Sequence, residues 1–191
     1  MRMDEYHRIA VSTAVYEGQG RNPTYPALGL AGEAAEFGEK VLDGATPEQL
    51  TKEAGDVLWY IANMAREMRA DLRDVAEAAA PGCEEFDGLQ QAVPHQPVDP
   101  GREGRIQAAL RLAGRAGSVC ERVKKLYRDD GGELTEERRG LIMAGLSQTL
   151  AALAGACLTC RLRMDQVAEL NAEKLLDRKR RGYITGDGDD R

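Results

Sequence analysis

Four carboxylates in two short motifs are the strongest candidates for chemistry in this sequence. Glu33 and Glu36 stand three residues apart, and so do Glu53 and Asp56. Residues three apart on a helix project from one face, so each pair presents two carboxylates together. If the two helices form an antiparallel hairpin, the four negative charges converge and repel one another unless cations neutralise them. Mg²⁺ and Mn²⁺ prefer oxygen ligands, so the pattern predicts a divalent metal site.

The second pair of carboxylates begins a longer polar stripe. Tyr60, Asn63 and Glu67 continue it at alternating intervals of four and three residues. For any single motif of this kind, a solvated helix face with ion pairs one turn apart is the better explanation. Two motifs on consecutive helices favour a site, in which Tyr60 and Asn63 are candidate substrate-binding residues.

A basic stripe lies near the end of the chain. Its members are spaced three, four and three residues apart and comprise Asn171, Lys174, Arg178 and Arg181. Such a stripe is suited to holding the phosphate groups of a ligand. The alternative explanation is that cations near a helix C-terminus only complement the helix dipole. Nucleic-acid binding is not expected, because the run is short and the chain carries a net charge of −6.

The elements that must position these residues are predicted to be helices throughout. Only 5% of the residues are aromatic, and the Ala, Leu, Glu and Arg that dominate the chain favour helices over strands. The clearest start is Thr46-Pro47-Glu48-Gln49, which combines an N-cap, a proline at the first helical position and a Gln three residues after the cap. Helices are predicted over residues 4–17, 26–42, 47–68, 71–80, 105–127, 135–162 and 164–181. The predicted fold class is an all-α helical bundle.

Residues 81–104 are predicted to connect two helical halves. They contain four of the seven prolines and show no helical period. The sequence therefore predicts a first unit over 1–80 and a second over 105–191.

The two halves also resemble each other. The segment Leu30–Val41 aligns with Leu112–Val123, 82 positions later, and Met68–Glu77 aligns with Cys160–Glu169, 92 positions later. At the positions of the four acids, the second half has Arg115, Ser118, Gly145 and Gln148. We interpret this as a tandem duplication in which the second copy kept its packing and lost metal binding. Two alanine-rich hairpins that look alike by composition are the alternative.

The chain is expected to remain in the cytoplasm. The N-terminus carries acidic residues where a signal peptide has a hydrophobic segment, and no window is expected to span a bilayer. Four cysteines are too few for a disulfide scaffold and are expected to be thiols. No membrane partner is predicted.

Three segments resemble the MazG-like all-α nucleoside triphosphate pyrophosphohydrolases, which include dimeric dUTPases and dCTP pyrophosphatases. Gly29–Glu36 and Glu53–Tyr60 are similar to that family's two metal motifs, and Val167–Arg178 with Arg181 is similar to its final phosphate-approaching segment. The family's first motif often begins with two adjacent acids, whereas this chain has Gly32 at the earlier position.

The resemblance implies two pseudo-repeats packed around one composite site, in a chain that pairs as a homodimer. Mg²⁺, or Mn²⁺, would be held by the four acids, and the basic stripe would contact the triphosphate. The implied reaction converts a nucleoside triphosphate and water to the monophosphate and pyrophosphate, which cleans the nucleotide pool. Glu36 or Glu39 is the candidate acceptor of the water's proton. The competing interpretations are a catalytically weak nucleotide-binding or protein-interaction module, and a purely structural bundle.

Overall fold

The computed structural model describes residues 1–93 and 101–182, and within these ranges the chain forms eight α-helices and no strand. They are α1 (Met3–Ser12), α2 (Thr24–Leu42), α3 (Pro47–Glu67), α4 (Leu72–Glu77), α5 (Phe86–Ala92), α6 (Arg102–Asp129), α7 (Glu136–Thr159) and α8 (Met164–Arg181). The predicted all-α class is confirmed.

Helix α3 begins where the sequence predicts and lies at the centre of the bundle. The Thr46 hydroxyl accepts a hydrogen bond from the Gln49 backbone N–H, and the Gln49 side chain accepts one from the Thr46 backbone N–H. These reciprocal bonds satisfy donors that a helix N-terminus otherwise leaves unpaired. The apolar stripe that includes Val57, Leu58 and Ile61 is fully buried. A well-capped helix with a buried apolar face is a rigid support for the polar residues on its other face.

Four long helices form the core of the molecule. Helix α2 packs against α3 and α6, and α7 packs against the same two helices. Helices α2 and α6 are antiparallel, because the Thr24 hydroxyl near the start of α2 donates to the Tyr127 hydroxyl near the end of α6 at 2.9 Å. Buried side chains from both predicted units belong to one hydrophobic cluster, so the two halves share a core.

The last helix of each half packs across onto the other half. Helix α4 follows α3 but packs mainly on α7, whereas α8 follows α7 and packs on α3. Arg69 and Arg161, 92 positions apart, are the non-glycine residues with positive φ in the described ranges, at 55° and 60°. Each follows a helix end that is closed by a similar hydrogen bond, from Ala70 N to Ala65 O and from Leu162 N to Cys157 O. The halves thus repeat a local geometry, while their common origin stays a prediction.

The first helix and the predicted connection differ most from the sequence prediction, and the other helix ends differ by at most three residues. Helix α1 ends at Ser12 instead of extending to residue 17, and the Thr13 hydroxyl that follows it donates to the Ala10 carbonyl. Part of the predicted connection is the helix α5, in which Phe86 and Leu89 are buried. A helix of seven residues is too short to show a clear period and depends on tertiary packing for its stability. Residues 94–100 of the connection lie outside the described residues.

Helix α7 corrects the expectation that no segment of the chain is long and apolar enough to span a bilayer. By length and composition, this helix meets that criterion. In the structure 56% of its apolar window is buried inside the bundle. Such burial is typical of the core helix of a folded domain, so the apolar run is explained by packing.

Candidate metal and phosphate site

Three carboxylates converge between α2 and α3. Glu33 and Glu36 come from α2 and Glu53 comes from α3, and one ligand oxygen of each lies within 4.8 Å of the other two. Glu53 is only 2% exposed, and its Oε1 lies 3.8 Å from the Lys40 ammonium. The structure therefore brings together three of the four acids that the motif spacing singled out, in a group that we call the carboxylate cluster.

Burial and mutual repulsion disfavour the ionised form of Glu33 within the cluster. Burial raises the pKa of the Glu33 carboxyl to about 7, and the neighbouring negative charges act in the same direction. Lys174 partly offsets this rise. A positive ion among these oxygens would relieve the repulsion and favour the ionised form of Glu33.

Asp56, the fourth acid, lies beside the cluster and is held by α8. Its carboxylate accepts hydrogen bonds from the Lys174 ammonium at 2.7 and 3.0 Å and from the Asn171 amide at 3.2 Å. Helix α8 belongs to the second half of the chain, whereas the acids belong to the first. The site is therefore composite.

Asn171 is positioned by close contacts that fix its amide. Its Oδ1 accepts a hydrogen bond of 2.7 Å from the Tyr6 hydroxyl, whose pKa is raised well above its ordinary value by complete burial. A Cβ on Gly55 would lie 2.8 Å from Asn171, so only glycine allows α8 to approach α3 this closely. Tyr6 escaped the sequence reasoning because nothing in a one-dimensional pattern links α1 to α8. Gly55, between Glu53 and Asp56, was the sequence feature that could have indicated a close helix contact here.

A cleft of about 570 Å³ extends from this point between the first turns of α3 and the length of α8. Its polar and apolar lining comprises Pro47, Glu48, Thr51, Lys52, Arg161, Leu162, Gln166, Leu170, Asn171, Lys174 and Arg181. Four of these side chains are cationic and one is acidic, which suits the cleft to an extended anion. Sequence reasoning named Lys174 and Arg181 but missed Lys52 and Arg161. Arg178 is half-buried on α8 and is not part of the lining.

Tyr60 packs on the other side of the cluster in a group of aromatic rings. A Cβ on Gly29 would lie 2.1 Å from the Tyr60 ring, so the ring rests directly on α2. The centroid of Tyr25, which is 45% exposed, lies 6.3 Å from that of Tyr60. Tyr25 in turn stacks on Tyr16 at 4.6 Å. An exposed aromatic surface thus adjoins the acids.

Two members of the predicted polar stripe are buried instead of lining an open site. Asn63 is fully buried and its amide donates to the Trp59 carbonyl, so the structure gives this candidate substrate-binding residue no surface for a ligand. Glu67 is 2% exposed and accepts hydrogen bonds from the Tyr16 hydroxyl and the backbone N–H groups of Gly20 and Asn22, at 2.6 to 2.8 Å. A helical period alone does not distinguish a ligand-facing residue from one that anchors a neighbouring loop. Glu39 is exposed and lies outside the carboxylate cluster.

The donor atoms of the cluster fit a hard divalent cation. All of them are carboxylate oxygens, the ligands that Mg²⁺ and Mn²⁺ prefer. In an octahedral Mg²⁺ site, adjacent oxygens lie about 3 Å apart and opposite oxygens about 4 Å apart, so side-chain adjustments of up to about 2 Å would bring all three onto one ion. Exposed Glu36 allows such an adjustment.

The fold and site define an all-helical bundle with a candidate carboxylate metal centre. The family model for the MazG nucleotide pyrophosphohydrolase domain matches residues 22–81, which contain all four acids of the two motifs. Gene 37 protein of Mycobacterium phage L5 is 35% identical over 89 residues, covering 47% of this chain and 78% of that protein. No solved structure matches significantly. The chain belongs to the MazG nucleotide pyrophosphohydrolase family.

Proposed function

We propose that this protein is a Mg²⁺-dependent nucleoside triphosphate pyrophosphohydrolase that produces a nucleoside monophosphate and pyrophosphate. The observation that carries the proposal is the contact between Lys174 on α8 and Asp56 on α3. This contact lies beside the carboxylate cluster. Metal-binding acids and phosphate-binding cations must adjoin for this reaction, because the substrate carries both the reacting phosphorus and a highly charged tail.

The first half of the chain holds the metal. Glu33, Glu36 and Glu53 would hold the ion, Mg²⁺ or Mn²⁺, and Asp56 beside them is the fourth proposed ligand. A bound divalent ion polarises a phosphoryl oxygen and acidifies a bound water. The buried position of Glu53 keeps its carboxylate aimed into the cluster.

A carboxylate of the first half accepts the proton of the attacking water. We assign this step to Glu36, which belongs to the cluster and is exposed to solvent. Glu39 lies one helical turn further along α2 and is the second candidate base. The water oxygen forms a bond to the α-phosphorus as the bond from that phosphorus to the bridging oxygen breaks, and pyrophosphate leaves.

The second half binds the leaving group. The cleft along α8 presents Lys174 and Arg181 to the β- and γ-phosphates, with Lys52 and Arg161 on its walls. Asn171 orients this end through its bonds to Tyr6 and Asp56. Arg178, also on α8, supplies further positive charge near the cleft.

The nucleoside lies on the opposite side of the cluster, against the aromatic surface. Tyr60 and exposed Tyr25 offer ring faces on which a base or sugar can pack. Such stacking tolerates every base, so it contributes affinity without selecting one. We place the reaction in the cytoplasmic nucleotide pool, where thiols such as the four free cysteines stay reduced.

We also propose that the chain pairs as a homodimer through α2 and α6. Leu28 and Leu110, 82 positions apart, are 64% and 72% exposed on these adjacent helices. Exposed Gly32 and Gly114 follow each leucine by four residues, so a second chain can approach closely. Light scattering after size exclusion should show a dimer that a Leu28→Glu/Leu110→Glu variant converts to monomer.

The test of the catalytic proposal is incubation of the purified protein with Mg²⁺ and a panel of ribo- and deoxynucleoside triphosphates, with products separated by chromatography. The wild type should release monophosphate and pyrophosphate, and Glu53→Gln should release neither while keeping its helical circular dichroism. Nucleotide binding without turnover by the wild type would instead favour a binding module. Turnover by Glu53→Gln at the wild-type rate would refute the assignment of the cluster.

A further inference from the structure

The groove between α6 and α7 is the counterpart of the one that holds the carboxylate cluster, and it carries a different set of polar groups. Where Glu33 and Asp56 stand in the first half, Arg115 Nη1 donates to the Gln148 side-chain oxygen at 2.8 Å. Where Lys40 lies 3.8 Å from Glu53, Arg122 lies over Gly145. The corresponding positions are therefore neighbours in both grooves.

Arg122 is held in this groove by neutral acceptors. Its Nη1 donates to the Ser118 carbonyl at 3.1 Å and also to the Ser118 hydroxyl. A Cβ on Gly145 would lie 2.9 Å from the same nitrogen, so glycine is what lets the guanidinium rest on α7. The half-buried Arg122 is thus fixed at a defined place and is not a freely moving surface side chain.

The positive charge of the groove is not neutralised within the described part of the chain. No carboxylate of residues 1–93 or 101–182 lies within 4.0 Å of a nitrogen of Arg115 or Arg122. Other arginines of the same two helices do have acidic partners, as in the pairs Arg128–Asp129 and Arg138–Asp130. Two guanidinium groups two helical turns apart therefore face one groove with only neutral neighbours at hydrogen-bond distance.

We propose that the α6–α7 groove is an anion-binding site for a phosphate-bearing small molecule, distinct from the cleft along α8. Guanidinium groups present several N–H donors in a fixed plane that matches phosphate oxygens. The Ser118 hydroxyl and the Gln148 amide add donors beside them. Where the first half has four acids, this groove has Arg115, Ser118, Gly145 and Gln148, which suit an anion in place of a cation. This inference does not depend on the proposed catalytic activity.

The test is calorimetric titration of the metal-free, chelator-treated protein with inorganic pyrophosphate, in the wild type and in Lys174→Ala. Both proteins should bind it, because Lys174 belongs to the other cleft. In the Lys174→Ala background, where the cleft along α8 is weakened, the added Arg115→Gln/Arg122→Gln pair should lower the affinity at least about tenfold, since two charge-assisted contacts are lost. Arg128→Gln removes the same charge from an ion-paired position on α6 and should change affinity less than about twofold.

A second variant separates loss of the site from loss of the fold. Gln148→Glu adds a carboxylate beside Arg115 and should weaken pyrophosphate binding while leaving the thermal unfolding midpoint close to that of the wild type. A parallel titration with a nucleoside monophosphate distinguishes the sources of phosphate: equal binding indicates nucleotides, and weaker binding indicates the inorganic ion. The proposal is overturned if the wild type binds neither pyrophosphate nor the monophosphate, or if Lys174→Ala alone abolishes binding.

Discussion

The α2–α3 groove and the α6–α7 groove lie between helices that correspond in the sequence alignment, but they carry opposite charge. The first presents Glu33, Glu36 and Glu53, and the second presents Arg115 and Arg122. Both hairpins bury continuous apolar faces in the shared core. Because the second hairpin folds without the acids, helix packing does not require them. Their presence in the first groove is better explained by binding.

Helices α4 and α8 occupy corresponding places in the two halves but differ in length. Each follows a turn with a positive-φ arginine, but α4 ends at Glu77 whereas α8 continues to Arg181. The positions that correspond to Asn171 and Lys174 are Ala79 and Gly82, beyond the end of α4. Only α8 therefore extends along its partner hairpin far enough to reach the acidic side chains. The greater length of α8 therefore places its cations next to the acidic groove.

The largest effect is expected from paired substitutions at corresponding positions of the two grooves. Glu36→Gln should lower turnover of the best triphosphate by at least about 100-fold, because it removes a charged group from the reacting centre. Ser118→Ala, its counterpart, should leave turnover within about twofold of the wild type. Steady-state rates with saturating Mg²⁺ measure both. Similar losses in the two variants would contradict the functional division between the grooves.

Removal of the cation that α8 contributes should have the next largest effect. Lys174→Ala should reduce kcat/KM by about 10- to 100-fold, because a charge-assisted contact to phosphate is lost. The Kd for Mg²⁺, measured without nucleotide, should not increase, because the Lys174 ammonium no longer competes with the ion for Asp56. Weaker metal binding would indicate that Lys174 supports the acids and does not contact the substrate.

A smaller effect should follow from separating α8 and α3. Gly55→Ala places a methyl group 2.8 Å from Asn171 and should destabilise the fold by about 1–3 kcal/mol through overpacking. Gly140→Ala on α7 meets no atom within 4 Å and serves as the control, with a change of about 1 kcal/mol or less in the stabilising direction. Urea unfolding measures both. Equal stabilities would argue against the close contact of the two helices.

The smallest effect concerns the pH dependence of stability of the metal-free protein. The pKa of Glu33 is raised to about 7, so its protonated form stabilises the fold below the ordinary pKa of 4.5, and this contribution is lost as pH rises through 7. Glu33→Gln should therefore match the wild type near pH 4.5 and exceed its unfolding free energy at pH 8 by about 1–2 kcal/mol, allowing for solvent screening of a half-exposed group. Arg115→Gln should show no such trend. Denaturant titrations in a chelating buffer test this, and a pH-independent difference would refute it.

The sequence by itself determined the helical class, the start of α3 and the clustering of Glu33, Glu36 and Glu53. These features are local: they follow from capping residues, apolar periodicity and the fact that residues three apart share a helical face. The sequence also indicated that the two halves correspond, because similar residues recur in the same order at constant offsets of 82 and 92 positions. Local rules therefore accounted for the carboxylate half of the site.

Only the tertiary structure decided which polar residues face a ligand. Asn63 and Glu67 share a period with Glu53, yet Asn63 is buried and donates to the Trp59 carbonyl, and Glu67 anchors the loop before α2. Tyr6 and Arg161 entered the site through contacts between residues far apart in the chain, and a period carries no information about such contacts. The packing of α8 across α3 determined which partner Asp56 meets, because side-chain neighbours are set by how helices cross and not by their spacing within one helix.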